Sequence, residues 1–194
     1  MPPNVKITKE DIIETALELV RTSGAQSINA RAIAASLNCS TQPIFSNFAT
    51  MDELQRAVIS AAYELYLSFL KQEAESGNYP PYKAYGMSYV RFAKDEKELF
   101  KLLFMRDRSD EDKSPPIDFN ESVDMIAKAN NLSHDTAMLI HLEVWTFVHG
   151  IGTMLATSFL TFEWDLVSRM LSDAYQGILL RHTQEENKNE CNKN

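Results

Sequence analysis

From Leu19 to Met51 the chain has no Asp or Glu, yet it carries Arg21 and Arg31, in a protein of 194 residues with a formal net charge of −8. Affinity for phosphates requires surface cleared of negative charge, so this window is where a polyanion could be met. Within it, Thr41, Gln42, Ser46 and Asn47 offer short hydrogen-bonding groups at helical spacing, while Ile44 and Phe48 fall on the opposite, inward side. Gln and Asn amides suit bidentate pairing with adenine edges. Arg31 and the backbone amides at the starts of the flanking helices can hold phosphates. The chemistry on offer is non-covalent recognition of duplex DNA. The acidic balance of the whole chain argues against general, unspecific nucleic-acid binding.

Other chemistries are poorly served. There is no glycine-rich phosphate loop, no nucleophile elbow and no HExxH helix, so a catalytic function is not expected. Cys39 and Cys191 stand far apart and outside any ligand cluster, which predicts neither a disulfide framework nor a zinc site and suits a reducing, cytoplasmic setting. His134, His141 and His149 share one helix side, but at spacings of seven and eight residues their imidazoles stand ~10–12 Å apart, too far to share one metal. No metal and no cofactor are expected. The N-terminal MPPNVKITKE is too polar for a signal peptide.

The elements that must position these groups read as helices throughout. Ile12, Ile13, Ala16, Leu17 and Val20 repeat at helical spacing, with Thr8 and Asp11 as a cap and Gly24 at the end. Asn29 caps a short second helix, Ala30 to Leu37. Asn38-Cys39 makes a turn, and Ser40 caps a third helix to about Asn47. Thr50-x-x-Glu53 opens a long fourth helix to about Ser76. After the Gly77–Pro81 linker, helices are predicted at about 82–94, 96–106, 118–130, 133–160 and 163–182, the seventh capped by Asp118. Two short helices joined by a tight turn, the second small and polar, describe a helix-turn-helix.

The run Ile33 to Leu54, through Ile33, Ala34, Ser40, Ile44, Phe48, Thr50 and Leu54, is similar to the pattern of the tetracycline-repressor (TetR/AcrR) family, and Ile12, Ala16, Leu19 and Gly24 fit the helix before it. The resemblance covers about the first third of the chain. It implies an all-α fold with a DNA-binding head, and a repressor released from its operator by a small molecule. Ser40, Thr41, Gln42, Pro43, Phe45, Ser46, Asn47 and Thr50, with Arg31, are the expected DNA-binding residues. The departures bear on affinity. Phe45 stands where the family has Tyr, Met51 where it has Lys, Asn47 for a His or Tyr, and Gln42 for a Gly, with Pro43 following it. Fewer phosphate contacts follow. This keeps open an alternative: a ligand-binding or protein-interaction domain with degraded DNA binding.

Beyond the head, 133–160 is apolar on more than half its circumference and must bury two faces. Val144, Val148, Ile151 and Leu155, with Val167, Met170, Leu171, Ala174 and Ile178 of the last helix, are the expected homodimer interface. A dimer would read an inverted repeat. Trp145-Thr-Phe-Val-His149-Gly150 resembles the Trp-His-Gly signature of one TetR-type effector domain. A pocket for a lipophilic effector is expected between the fourth and eighth helices. Tyr63, Tyr66, Tyr89, Phe92, Phe100, Phe104 and Met125 would line it, with His141, Trp145 and His149. The expected organisation is therefore a DNA-binding domain over 6–66 with its reading helix at about 41–47, an effector and dimerisation domain over 67–182, and a disordered tail over 183–194. The apolar stretch Val144–Leu160 lacks Lys or Arg flanks and is expected to be a buried helix, with no membrane involved.

Overall fold

The computed structural model describes residues 7–109 and 119–191, with side chains to residue 184. Every regular element among them is helical: α1 (Lys9–Ser23), α2 (Ala30–Ser36), α3 (Gln42–Asn47), α4 (Met51–Ser76), α5 (Pro81–Asp95), α6 (Lys97–Phe104), α7 (Asn120–Asn130), α8 (His134–Ala156) and α9 (Trp164–Cys191), with a short 3-10 turn at Ala25–Ser27. The all-α architecture agrees with the sequence reading. The chain divides into two compact units. The first runs up to Ser68 and takes back Asp95–Asp107; the second comprises Phe69–Lys94 and the chain from Arg108 onward.

The first unit is built on α1. Its Ile12, Ala16 and Val20 are fully buried, together with Ile33 of α2, Ile44 of α3, Leu54 and Val58 of α4, and Leu99 and Phe100 of α6. Local signals fix the helix ends. Thr8 Oγ accepts from the Asp11 amide while the Asp11 carboxylate accepts from the Thr8 amide. The Asn29 side chain accepts from the Ala32 amide, and Gly24 closes α1 at φ 78°, a region where a side chain would be strained. The expected boundary between 66 and 67 took no account of α6. A long-range pair holds that helix here: the Arg21 guanidinium donates to both Glu96 carboxylate oxygens at 2.9 Å. Sequence windows cannot see a pair 75 residues apart.

In the second unit, α8 packs against α7 and α9. Ile140, Val144, Val148, Ile151 and Leu155 of α8, and Val167 and Leu171 of α9, lie inside the unit's own core. Six of the nine residues expected at a dimer interface are thus core residues. Val144, Val148, Ile151, Leu155, Val167 and Leu171 are already covered by their own chain, and Met170, Ala174 and Ile178 are half-buried. Helical periodicity defined two apolar stripes on α8 but could not say which one the chain itself would cover. The apolar side chains left open are Leu139, Leu142 and Phe147 of α8, Leu166 and Leu180 of α9, and Phe159 and Leu160 between them. By length and composition α8 could cross a membrane; in the fold it is the central helix of this unit.

Three helix ends differ from expectation. Helix α8 stops at Ala156, short of residue 160, because Ser158 turns left-handed at φ 56° and the Phe159 amide returns to the Met154 carbonyl. The first residue described ahead of α7 is Phe119, which makes no side-chain cap; Asp118, the expected cap, lies outside the described residues. Helix α9 runs past His182 to Cys191, where an unstructured tail was expected. Gln, Glu and Lys are good helix formers, and extending a formed helix costs far less than starting one. Residues 192–194 lie outside the described residues.

Side-chain bonds tie the second unit across its helices. Lys83 Nζ donates to Ser172 Oγ at 2.8 Å, Asn130 to the Tyr175 hydroxyl at 3.0 Å, and His182 pairs with Glu143 at 3.0 Å. Arg91 donates to Glu73 at 2.8 Å and lies over the Trp164 ring at 4.5 Å. Gly86 of α5 allows close approach to α9: a Cβ there would stand 2.9 Å from Leu171 Cδ2 and 3.6 Å from Val148 Cγ2. Gly86→Val should therefore destabilise the unit by overpacking, by ~1–3 kcal/mol, read as a lower urea midpoint at unchanged slope. A variant as stable as wild type would show that α5 and α9 are not held this tightly.

Candidate nucleic-acid interface

The turn before the reading helix is built by Asn38. Its φ of 52° is left-handed, a conformation Asn tolerates, and the Cys39 amide returns to the Ala34 carbonyl at 2.9 Å. Helix α3 begins at Gln42. Its cap position is Thr41, and no side chain caps it, so Ser40 does not play the expected capping part. Pro43 sits in the first turn, where its missing amide hydrogen leaves no intrahelical bond unmade. Ile44 and Phe48 are buried as expected and fix which face of α3 turns outward.

That outward face differs in detail from the sequence reading. Gln42, Phe45 and Ser46 are exposed, Phe45 by 52% of its surface. Asn47 is engaged: its amide nitrogen donates to the Pro43 carbonyl at 2.8 Å and to the Ile7 carbonyl at 3.3 Å. Both amide hydrogens are then used, and bidentate pairing with adenine needs one of them. Asn47 fastens the end of α3 to the segment before α1. Ser46 Oγ donates to the Gln42 carbonyl at 2.9 Å, which leaves its lone pairs as acceptors.

The electrostatics are sparse. Of the two arginines in the acid-free window, Arg21 is spent on Glu96 and Glu18. Arg31 is exposed and makes no ion pair among the described residues. Lys9 pairs with Glu53 at 3.4 Å and lies 4.9 Å over the Phe48 ring. The α4 start uses its own groups: Thr50 Oγ1 accepts from the Glu53 amide, and Glu53 accepts from the Ala49 amide. The bond from the Ala49 amide, followed by that from Lys9, holds the Glu53 carboxyl below its usual range. Lys9 lies outside the acid-free window, so the window alone does not reveal it.

The expected effector residues divide between the units. Tyr63, Tyr66, Phe100 and Phe104 belong to the first, where Tyr66 meets Phe104 edge-on at 5.4 Å and Phe100 lies 5.2 Å from Phe104. Tyr89, Phe92, Met125, His141, Trp145 and His149 belong to the second. Phe92 is fully buried and meets Phe69 edge-on at 5.3 Å, a packing role. Tyr89, His141, Trp145 and His149 are brought together. The Tyr89 hydroxyl lies 2.8 Å from His149 Nδ1, and the Trp145 and His149 rings stack at 5.3 Å and 19°. Two residues join them that sequence reasoning missed. The Tyr82 hydroxyl lies 3.0 Å from His141 Nδ1, and the Phe119 ring lies 4.7 Å from His141 and 5.7 Å from Trp145. Tyr82 could have been found from its spacing, seven residues before Tyr89 and hence on the same helix side. Burial lowers the pKa of both imidazoles, that of His141 to about 4. No three His, Cys, Asp or Glu side chains converge as metal ligands among the described residues.

No protein-family model matches the chain, and no curated protein matches it. Among solved structures, it is similar to the crystal structure of a TetR-like transcriptional regulator from Rhodococcus sp. RHA1, with a TM-score of 0.63 at 15% identity over 91% of this chain and 96% of that one. The chain therefore has the fold of a TetR-like regulator.

Proposed function

We propose that the protein is a sequence-specific DNA-binding transcriptional regulator, a homodimeric repressor released from its operator by a small lipophilic molecule bound in the second unit. The observation that carries this is α3: a short helix after a tight left-handed turn, with Gln42, Phe45 and Ser46 outward and no carboxylate in the helix or in the turn before it. Such a helix fits a major groove. Its likeness in fold to a transcriptional regulator supports the same reading. Gln42 is the base-reading amide and Ser46 contributes acceptors. Phe45 and Pro43 offer apolar surface of the kind that meets thymine methyl groups. Arg31 and the amides at the starts of α3 and α4 hold phosphates.

A second reading is an interaction or ligand-binding module whose head no longer binds DNA. The exposed Phe45 and the Met51 at the start of α4 favour it, since neither neutralises a phosphate.

Dimerisation would use the open face of α8 and α9. Leu139, Leu142 and Phe147 lie on it, with Leu166 and Leu180. Gly150 and Gly177 interrupt these helices where a Cβ would meet nothing within 4 Å. A glycine in a helix interior costs about 1 kcal/mol against alanine, and no close contact among the described residues requires these two. Close approach by the same helices of a second copy supplies a reason.

The first prediction concerns the dimer. Gly150→Leu and Gly177→Leu should each leave the thermal stability of the monomer fold unchanged or raised while weakening association, measured by analytical ultracentrifugation. A wild type that stays monomeric at micromolar concentration would sink the dimer.

The second concerns the head, using duplexes selected from random sequence. The favoured site should be an inverted repeat with half-sites ~34–36 Å apart. Gln42→Ala should cost ~1–3 kcal/mol at that site and relax one base position. Asn47→Ala should lower the stability of the first unit instead of changing base preference. Met51→Lys should tighten binding and steepen the salt slope by ~0.9 for each phosphate gained. If the wild type prefers no duplex over random DNA at low salt, the regulator reading is wrong and the second reading replaces it.

A further inference from the structure

Helices α5 and α8 are joined by two Tyr–His bonds, Tyr82 to His141 and Tyr89 to His149, and Trp145 lies between the two histidines, four residues from each. Two polar atoms in this cluster are buried without a partner among the described residues: His141 Nε2 and Trp145 Nε1. His141 is 6% exposed. Buried polar groups are almost always satisfied, and one left unpaired costs ~1–3 kcal/mol. Two on successive turns of one helix, both beside the Phe119 ring, point to something that completes them.

The hydrogen-bond chemistry fixes what that is. The Tyr82 hydroxyl has no described acceptor other than His141 Nδ1, and burial raises its pKa, so it keeps its proton. If Tyr82 donates to Nδ1, the proton of the neutral imidazole sits on Nε2. The opposite tautomer would strand the phenol proton as well as the Nε2 lone pair. His141 Nε2 is therefore a donor, and indole Nε1 can only be a donor. Both open valences ask for an acceptor. The imidazoles are neutral near pH 7, since burial lowers both, so the cluster presents donors without a cation. A cationic ligand would meet hydrogens, and an anion would be desolvated without a counter-charge. The Trp145–His149 stack and Phe119 surround these donors with aromatic rings, so a ligand that reaches them meets aromatic surface.

Resting on the reading of the second unit as an effector domain, we infer that the effector is a neutral aromatic molecule with a carbonyl-type oxygen, received by His141 Nε2–H and Trp145 Nε1–H. It is thus not the cation that the acidic surface of the protein would suggest.

The test uses the full chain and matched probes: acetophenone and its naphthyl homologue, the corresponding ethyl arenes, benzoate, and benzyltrimethylammonium. Calorimetry gives affinities, and the indole N–H resonance of Trp145, assigned with Trp145→Phe, reports the hydrogen bond. The ketones should bind roughly tenfold tighter than the ethyl arenes, as expected when orphan donors gain an acceptor, and should move the Trp145 N–H signal downfield. His141→Phe and Trp145→Phe each keep an aromatic ring and delete one donor. Each should lower ketone affinity toward that of the hydrocarbon and leave hydrocarbon affinity in place. Should His141→Phe not fold, Trp145→Phe decides the same question through the other donor. Ethyl arenes binding as tightly as ketones, benzoate or the cation binding more tightly, or no probe binding at millimolar concentration overturns the inference; in the last case water alone meets the donors. DNA binding measured on the same preparation keeps the two readings apart. A protein that selects an operator but ignores ketones refutes this inference alone, and one that binds ketones but no duplex refutes the regulator reading alone.

Discussion

Ile140, Val144, Val148, Ile151 and Leu155 run down one side of α8, and all of them are buried. Burying a large aliphatic side chain contributes ~1.5–3 kcal/mol, so this row is a principal driving force of the second unit. Its neighbours are arranged around that requirement. Helix α9 brings Val167 and Leu171, α7 brings Val123 and Ile126, and α5 thins itself to glycine at Gly86 to come close. The polar groups of α8 follow from this placement: His141 is drawn under and needs the Tyr82 hydroxyl at its Nδ1. Burial decides the position, and the hydrogen bond makes it tolerable.

The first unit is held by a different economy. Its core mixes aliphatic side chains with Phe48, Tyr66 and Phe100, and α2, α3 and the turn between them contain no Asp or Glu. The cost is that few cations remain there. Arg21 is committed to Glu96, which brings α6 against α1, and Lys9 is committed to Glu53. The surface that could face a phosphate backbone is thus neutral more than basic. Shape, backbone amides and apolar contact would carry a larger share of recognition there than Coulomb attraction.

Much of this was legible in the residues because it is local. The caps at Thr8, Asn29, Thr50 and Ser133 lie within three residues of the amides they satisfy, and periodicity identified the apolar stripes of α1 and α8. What escaped was long-range or a matter of phase. Arg21 and Glu96 meet across 75 residues, and Tyr82 and His141 across 59. Asn47 looked like a reading residue because its type suits adenine, but the Ile7 carbonyl, distant in sequence, claims its amide. Six of the nine expected dimer residues lie in the core, a matter of phase: two apolar stripes on one helix look alike until the partners of one are known. The end of α8 was missed because Ser158 enters a left-handed conformation that its residue type does not advertise.

The two Tyr–His bonds between α5 and α8 act as dowels. On α5 the tyrosines stand seven residues apart, a rise of ~10.5 Å, and on α8 the histidines stand eight apart, ~12 Å. One such peg would let the helices pivot about it. Two pegs at nearly matched spacing remove both the pivot and the slide, since a shift of one residue in register would break both bonds together. As long as the pegs hold, α5 and α8 are a single rigid plate, and any rearrangement of the second unit must be taken up at the other edges of that plate.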